Sequence, residues 1–133
     1  MKTLKTTFLS SMALVLLLSI NAFATNADKV VEKARAMVSE AAPHDWQTLA
    51  KAADLCIKKD VNLTEAKEWL DKSLTIKESS MALEVAGDYY AKNKLYDQAI
   101  NNYVQSMLKI KDHDRQADTS RLEAKIAKAK KNS

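Results

Sequence analysis

Apolar residues recur every three or four positions along most of the chain, which is the spacing of one face of an α-helix. Six such stripes follow one another after residue 27. They consist of Val30, Val31, Ala34, Met37, Val38 and Ala41; Trp46, Leu49, Ala53 and Ile57; Ala66, Leu70 and Leu74; Leu83, Ala86, Gly87 and Tyr90; Tyr96, Ala99, Ile100, Tyr103, Met107 and Ile110; and Leu122, Ile126 and Ala129. The pattern predicts six helices, of which the last has the narrowest apolar face.

Helix start and stop signals separate the stripes. Pro43 ends the first helix because the residue before a proline is disfavoured in helical backbone, and Asp45 is a favourable N-cap for the second. Ser120 and Glu123 have the spacing of a capping box at the start of the last helix. The chain holds one glycine and one proline, too few for the tight turns of a multi-stranded β fold. The predicted fold class is therefore all-α.

Residues 1–24 have the three parts of a secretory signal peptide. Lys2 and Lys5 form a basic start, Met12 to Ile20 is an apolar run, and Ala22 to Ala24 ends in an A-x-A triplet. An uncleaved anchor needs about 20 apolar residues, so cleavage is favoured and no stable membrane insertion is expected after it. No cysteine follows the triplet to accept a lipid. We therefore expect one exported domain, periplasmic or secreted.

The positive charge of the chain is concentrated at its two ends. The formal net charge is +4, and Lys2 and Lys5 supply two of these charges. Much of the remaining positive charge lies in residues 118–133. The basic isoelectric point of the chain therefore reflects this tail and the signal peptide, and not a basic surface of the folded domain. No nucleic-acid partner is expected on this basis. Binding of a membrane surface or a polyanion by this tail is an alternative that ranks last. Its residues would be Lys125, Lys128, Lys130 and Lys131.

The chain repeats its pattern at a constant interval, the one that separates Leu63 from Tyr96. Shifted by that interval, Leu63, Ala66, Leu70 and Ser73 fall on Tyr96, Ala99, Tyr103 and Ser106, while Ala50, Ala53 and Ile57 fall on Leu83, Ala86 and Tyr90. Two helix-turn-helix units with the same order of small and large residues indicate a helical repeat.

Residues 46–111 resemble the tetratricopeptide (TPR) repeat family, whose repeats span about 34 residues. The second unit carries the resemblance. Its matching residues are Leu83, Ala86, Gly87, Tyr90, Ala99, Tyr103 and Ser106. The first unit matches loosely, with Ala53 and Asp54 at the leucine and glycine positions and Ile57 at the tyrosine position. The resemblance implies a short right-handed stack of helix pairs.

The organisation that the resemblance implies has four parts after removal of the signal peptide. Residues 25–44 would form an N-terminal helix, residues 45–117 would hold two TPR-like repeats (45–79 and 80–113), and residues 118–133 would form a basic capping helix. Packing between helices would set small residues against large ones, with Gly87 allowing the closest approach. These packing residues are Ala66, Leu70, Gly87, Tyr90, Ala99 and Tyr103.

The stretch from Trp46 to Ser73 carries a second resemblance, to helical tails that follow a β-rich domain in certain exported bacterial proteins of unknown function. That resemblance implies no activity. Cys56 lies on an apolar helix face and is expected to be buried, since a free cysteine packs as a small hydrophobe. Trp69 lies outside the inward stripe of its helix. It either anchors a partner or packs beneath a neighbouring helix, and packing is favoured.

No residue pattern indicates an enzyme. His44 and His113 fall in separate connections, Cys56 is expected to be buried, and no metalloprotease, nucleophile-elbow or P-loop motif occurs. Asp112, His113 and Asp114 could hold a divalent metal only weakly, because a stable zinc site needs three or four convergent ligands, and a solvated loop is favoured. No catalytic residue, metal or cofactor is therefore predicted.

In the TPR family the first helices of the repeats line a concave face, and the resemblance implies that this face binds a protein or peptide. The residues so placed are Lys51, Leu55, Lys58, Lys59, Met81, Glu84, Asp88 and Lys92. Family members that clasp a terminal carboxylate use asparagines where this chain has Leu55 and Val85, so that activity is not implied. An ordinary solvated face and self-association into a homo-oligomer remain open alternatives.

Overall fold

Most of the backbone that the structure describes is helical. A computed structural model describes residues 26–133, and among these residues no strand occurs. The helices are α1 (residues 26–40), α2 (Trp46–Lys59), α3 (Leu63–Ile76), α4 (Ser80–Lys92), α5 (Tyr96–His113) and α6 (Ser120–Asn132). The predicted all-α fold is confirmed. The predicted signal peptide, residues 1–24, lies outside the described residues.

Between residues 26 and 133, no helix is both long enough and apolar enough to cross a membrane. The longest, α5, has 18 residues, and polar residues separate its apolar positions.

Two helices begin with equivalent side-chain caps. Asp45 Oδ1 accepts a hydrogen bond from the Thr48 N–H at 3.0 Å at the start of α2. Ser79 Oγ accepts one from the Ala82 N–H at 3.1 Å at the start of α4. Each cap satisfies an N–H group that the helix itself cannot pair. The predicted cap at Asp45 is confirmed.

The start of α6 differs from the predicted capping box. The N-cap is Thr119, which makes no side-chain bond to the helix backbone, and its hydroxyl donates instead to Glu123 Oε1 at 2.9 Å. Asp118 Oδ1 accepts from the Ser120 N–H at 2.8 Å. The predicted capping box at Ser120 is therefore wrong. Ser120 is the first residue of α6 and not its N-cap, and its N–H is already bonded to Asp118.

Two further kinds of hydrogen bond are equivalent in the two units. One kind ends α2 and α4, and the other joins α2 to α3 and α4 to α5. The Val61 N–H donates to Cys56 O, and the Leu95 N–H donates to Tyr90 O. Deeper in each pair, a buried serine hydroxyl donates to the first carbonyl of the preceding helix. These bonds join Ser73 Oγ to Trp46 O at 2.7 Å and Ser106 Oγ to Ser80 O at 2.8 Å.

These matched bonds set the register between the two units. The serine and the carbonyl it binds are 27 positions apart in the first unit and 26 in the second, so the first unit has one extra residue. That residue is Asn62, which lies in the turn before α3 with a φ of 47°. The repeat is therefore present. The predicted shift relates the second helices of the two units, α3 and α5, but the first helices, α2 and α4, are related by a shift that is one residue longer. In the structure Ala53 corresponds to Gly87.

Two clusters of buried side chains hold the helices together. The larger spans α1 to α4 and the smaller joins α5 to α6. The six predicted packing residues lie in or against them: Ala66 and Leu70 in the larger cluster, Ala99 and Tyr103 in the smaller, Gly87 buried between α4 and α5, and Tyr90 packed against both. The close approach at Gly87 is confirmed, since the Tyr103 ring lies where its Cβ would be.

Cys56 and Trp69 both pack into the larger cluster. Cys56 is fully buried and free, as predicted. Burial, with a smaller contribution from the Glu65 carboxylate, raises the pKa of its thiol, so the protonated and unreactive form dominates. Trp69 is half-buried against the same cluster, which also contains Ala34 of α1. Its favoured role in packing is confirmed.

Arg35 and Glu65 join α1 to α3. The Arg35 Nε and Nη2 atoms donate to Glu65 Oε2 and Oε1 at 2.8 and 2.7 Å. Asn62 Nδ2 donates to the same carboxylate at 2.9 Å. The hydrogen bond from Arg35, followed by that from Asn62, lowers the pKa of Glu65 from 4.5 to about 2.

This shift predicts how the stability contribution of Glu65 changes with pH. Because its folded pKa is depressed, the contribution is present above the unfolded value and is lost as the pH falls through the folded value. We expect the difference in melting temperature between the wild type and Glu65→Gln to shrink between about pH 5 and pH 2. Glu68→Gln, at an exposed position of the same helix, is the control. A difference for Glu65→Gln that stays constant over this range would contradict the shift.

Candidate functional site

One face of the molecule is formed by α2, α4 and α6 and contains two adjoining pockets. The end pocket, with a volume of about 400 Å³, lies near the C-terminal ends of these three helices. Its lining is Ile57, Lys58, Asp88, Ala91, Lys92, Tyr96, Tyr103, Lys125, Lys128, Ala129 and Asn132. The middle pocket has a volume of about 510 Å³. Its lining is Asp54, Lys58, Ser80, Met81, Glu84, Val85, Asp88, Ile110, Arg121 and Lys125.

The two pockets form one continuous surface because they share three side chains. Lys58 on α2, Asp88 on α4 and Lys125 on α6 line both. We call this surface the inner face. It presents charged tips above apolar walls, which include Ile57, Ala91 and Val85. Most of the lining side chains are charged or polar, a larger share than in a typical small-molecule cleft.

Five of the eight side chains predicted to line a concave face do line this one. They are Lys58, Met81, Glu84, Asp88 and Lys92. The other three, Lys51, Leu55 and Lys59, line neither pocket. Lys51 and Lys59 are exposed, and Leu55 packs against the larger core cluster. Their placement on the inner face is therefore corrected.

The cause of this correction is the register of the repeat. The predicted shift matches Lys51 to Glu84 and Leu55 to Asp88, whereas the observed shift, one position longer, matches Ala50 to Glu84 and Asp54 to Asp88. One residue corresponds to about 100° around a helix, enough to turn a side chain from one face to the next. Lys58 lies on the inner face because it is the equivalent of Lys92.

The last helix contributes to the inner face, which the sequence did not indicate. Lys125 Nζ lies 2.7 Å from both carboxylate oxygens of Asp88 and 2.8 Å from Glu84 Oε1. Arg121 forms a further ion pair with Glu84. Through these side-chain contacts α6, which packs against α5, also reaches α4 and forms the third wall of the cleft. Lys125 is half-buried, so part of the predicted basic tail belongs to the core of the site.

Tyr103 supports this wall from below. Its hydroxyl donates to Asp88 Oδ1 at 2.8 Å, and its ring lies 5.5 Å from Lys125 Nζ. Burial, and then the hydrogen bond to Asp88, raise the pKa of the phenol, so Tyr103 stays neutral at any physiological pH. Asp88 is therefore held by a neutral donor and a cation at once, which fixes its orientation.

The histidines and the cysteine lie away from the inner face. His44 and His113 are exposed and line neither pocket, and the Cys56 thiol is buried in the core. In the part of the chain from residue 26 onward, no group of three or more histidine, cysteine, aspartate or glutamate side chains could hold a metal ion. The interactions that the structure shows on this face are ion pairs, hydrogen bonds and apolar contacts.

Searches for similar proteins found no match of any of three kinds. No family model, no curated protein and no solved structure matches the chain. The resemblance to TPR repeats therefore stays a prediction.

Proposed function

We propose that the protein is an exported, non-enzymatic, TPR-like adaptor that binds a segment of another protein on its inner face. The observation that carries this proposal is the continuous cleft formed by α2, α4 and α6, with three side chains shared between its two pockets. Export is proposed from residues 1–24, whose sequence has the three parts of a signal peptide.

The size and lining of the cleft suit an extended peptide. Pockets of about 400 and 510 Å³ lie within the range of small-ligand sites. Because they adjoin along the helices, a chain in extended conformation can place successive side chains in each. Apolar walls supply contact area, while lysines and carboxylates supply hydrogen-bonding partners for backbone amides and polar side chains.

The rigidity of the cleft also supports a binding role. Two of its carboxylates, Glu84 and Asp88, are held by Lys125 and Tyr103 before any ligand arrives. A preorganised surface loses less conformational entropy when it binds. No buried polar side-chain atom within residues 26–133 lacks a hydrogen-bond partner.

The test uses two neighbouring lysines of α2 that differ in their position relative to the cleft. Lys58 lines both pockets, and Lys59 lines neither, although both are exposed. A library of displayed random peptides is selected on the wild-type protein, and the affinity of the enriched peptides is measured for Lys58→Trp and Lys59→Trp. We expect Lys58→Trp to weaken binding by about tenfold or more, since loss of a central contact costs over about 1 kcal/mol.

The matched control is Lys59→Trp, which makes the same change in charge and bulk one position away. It is expected to leave affinity within about threefold, as for a position outside an interface. Circular dichroism must show that both variants melt near the wild-type temperature. Equal weakening by both variants, or no enriched peptide at all, would refute the proposal.

A further inference from the structure

We propose that the end pocket recognises acidic side chains, so that the bound segment is rich in aspartate or glutamate. This inference rests on the proposed function and names the chemistry of its ligand. It begins from the charge of the lining, in which four lysines face a single carboxylate. The lysines are Lys58, Lys92, Lys125 and Lys128, and the carboxylate is Asp88.

The one carboxylate of the end pocket is already satisfied. Asp88 accepts hydrogen bonds from the Tyr103 hydroxyl at 2.8 Å and from Lys125 at 2.7 Å. It therefore neutralises Lys125 and leaves the other three lysines to face the pocket. A basic ligand would find no free carboxylate there, whereas an acidic ligand would meet lysines that have no partner carboxylate within the pocket lining.

The three remaining lysines differ in how firmly they are engaged. Lys58 Nζ lies 2.6 Å from Asp54 Oδ2. Lys92 Nζ lies 3.7 Å from Asp60 Oδ1, beyond a normal hydrogen bond. Lys128 forms no ion pair with any residue from 26 to 133. Lys92 and Lys128 are thus the cations most available to an incoming anion.

Helix dipoles and neighbouring carboxylates reduce the positive charge of this pocket. The end pocket lies near the C-terminal ends of α2, α4 and α6, and each such end carries about half a negative elementary charge. Asp54 and Asp60, which lie outside the lining, also pair with Lys58 and Lys92. The positive charge left to attract an acidic ligand is therefore that of Lys128 and, in part, of Lys92, and it lies in a cleft with apolar walls, where screening by water is weaker than at an open surface.

The shape of the pocket favours a polypeptide over an extended polyanion. Lys130 and Lys131 lie on the same helix but outside the pocket lining, so the basic residues of α6 do not form one continuous outer track. Inside the pocket, Ile57, Ala91 and Tyr96 give apolar walls. Those walls suit the methylene stems of glutamate side chains, whereas a sulfated or phosphorylated polymer gains nothing from them.

The experiment compares a capped hexaglutamate peptide with a capped hexaglutamine peptide. Both carry an N-terminal fluorophore and a C-terminal amide, so no free terminal carboxylate contributes. Binding to the purified full-length chain is measured by fluorescence anisotropy at two salt concentrations. We expect hexaglutamate to bind more tightly than hexaglutamine, with the difference decreasing at high salt.

Two double variants with the same change in net charge locate the binding. Lys92→Glu/Lys128→Glu reverses the available cations of the end pocket. Lys72→Glu/Lys131→Glu reverses two exposed lysines outside it. We expect the pocket variant to weaken hexaglutamate binding by about tenfold or more, and the control variant by less than about threefold, because exposed charges outside a site contribute little.

Each outcome bears on the inference separately from the proposed function. Equal loss in both double variants, or equal binding of hexaglutamine, would overturn the acidic preference. The same holds if a heparin fragment binds and is weakened equally by both variants, since that result indicates a diffuse basic tail. If Lys58→Trp abolishes binding of the selected library peptides but Lys92→Glu/Lys128→Glu leaves their affinity unchanged, the proposed function stands and this inference fails.

Discussion

Gly87→Ala is expected to destabilise the protein by about 2–4 kcal/mol, although alanine is the better helix former. A Cβ at position 87 would lie 2.3 Å from Tyr103 Cε1 and 2.4 Å from Cδ1, far inside van der Waals contact. The Tyr103 ring must move, and its hydrogen bond to Asp88 moves with it. Overpacking costs about 1–3 kcal/mol and a bond to a charged acceptor contributes about 1.5–3 kcal/mol. The gain in helix propensity, about 1 kcal/mol, does not compensate.

The first unit suggests how the same clash is avoided without glycine. There Ala53 corresponds to Gly87, and Leu70 corresponds to Tyr103, so a methyl group faces a smaller side chain. The double variant Gly87→Ala/Tyr103→Leu should therefore be less destabilised than the sum of its two single variants. Urea unfolding of all four proteins gives the coupling energy, which we expect to be at least about 1 kcal/mol. Simple additivity would show that the tyrosine ring is not what excludes the methyl group.

Leu122→Ala is expected to cost about 2–4 kcal/mol, as for other buried leucines. Leu122 is 1% exposed and is the fully buried side chain by which α6 enters the smaller cluster, beside Ala99 and Tyr103. Of the other α6 contacts, Ala129 is buried but small, and the rest are ion pairs or half-buried side chains, which contribute less. Leu108→Ala is the matched control, because Leu108 is 49% exposed and its truncation should stay within about 0.5 kcal/mol.

The loss at Leu122 should be local before it is global. Because α6 is the last helix, it can detach while α2 to α5 remain packed. Amide hydrogen exchange should therefore accelerate in α6 far more than in α2 and α3. Detachment also removes Lys125 from Asp88 and Glu84, so peptide binding should weaken in this variant. Uniform acceleration across all helices would show instead that α6 unfolds only with the whole domain.

The fold could be predicted from the sequence because its signals are local. Helical spacing of apolar residues, caps such as Asp45 and the stop at Pro43 depend on neighbours within a few positions, and the burial of Cys56 follows from its place in such a stripe. Gly87 could be predicted as a close approach for a similar reason. In the TPR-like pattern of the second unit, this position of the first helix requires a small residue because an aromatic residue of the second helix fills the space.

The register of the first unit could not be predicted in the same way. Small residues at Ala50, Ala52 and Ala53 fit the predicted and the observed shift equally well, because all are apolar and all are buried. The extra residue, Asn62, lies in a turn, where the apolar pattern gives no information. Only the hydrogen bonds of the caps and of the two buried serines distinguish the two shifts. That one-position error is what placed the side chains of Lys51, Leu55 and Lys59 on the wrong face.

The third wall of the cleft was missed for a different reason. Lys125 and its partner Asp88 are 37 positions apart in the chain, and nothing local distinguishes this lysine from Lys128, Lys130 or Lys131. An ion pair between residues so far apart in the chain depends on how α6 packs in the folded protein. The narrow apolar stripe of α6 does not indicate that packing from the sequence alone. The position of Lys125, one helical turn before the inward-facing Ala129, is only a weak indication of such an ion pair.

The central claim is that the inner face binds a protein segment, and its most direct test is the affinity of one selected peptide for Lys58→Trp compared with Lys59→Trp. The account predicts a loss of about tenfold or more at Lys58 and a change within about threefold at Lys59, because only the first side chain lines the two pockets. Equal affinities for the two variants, or a larger loss at Lys59, would contradict it.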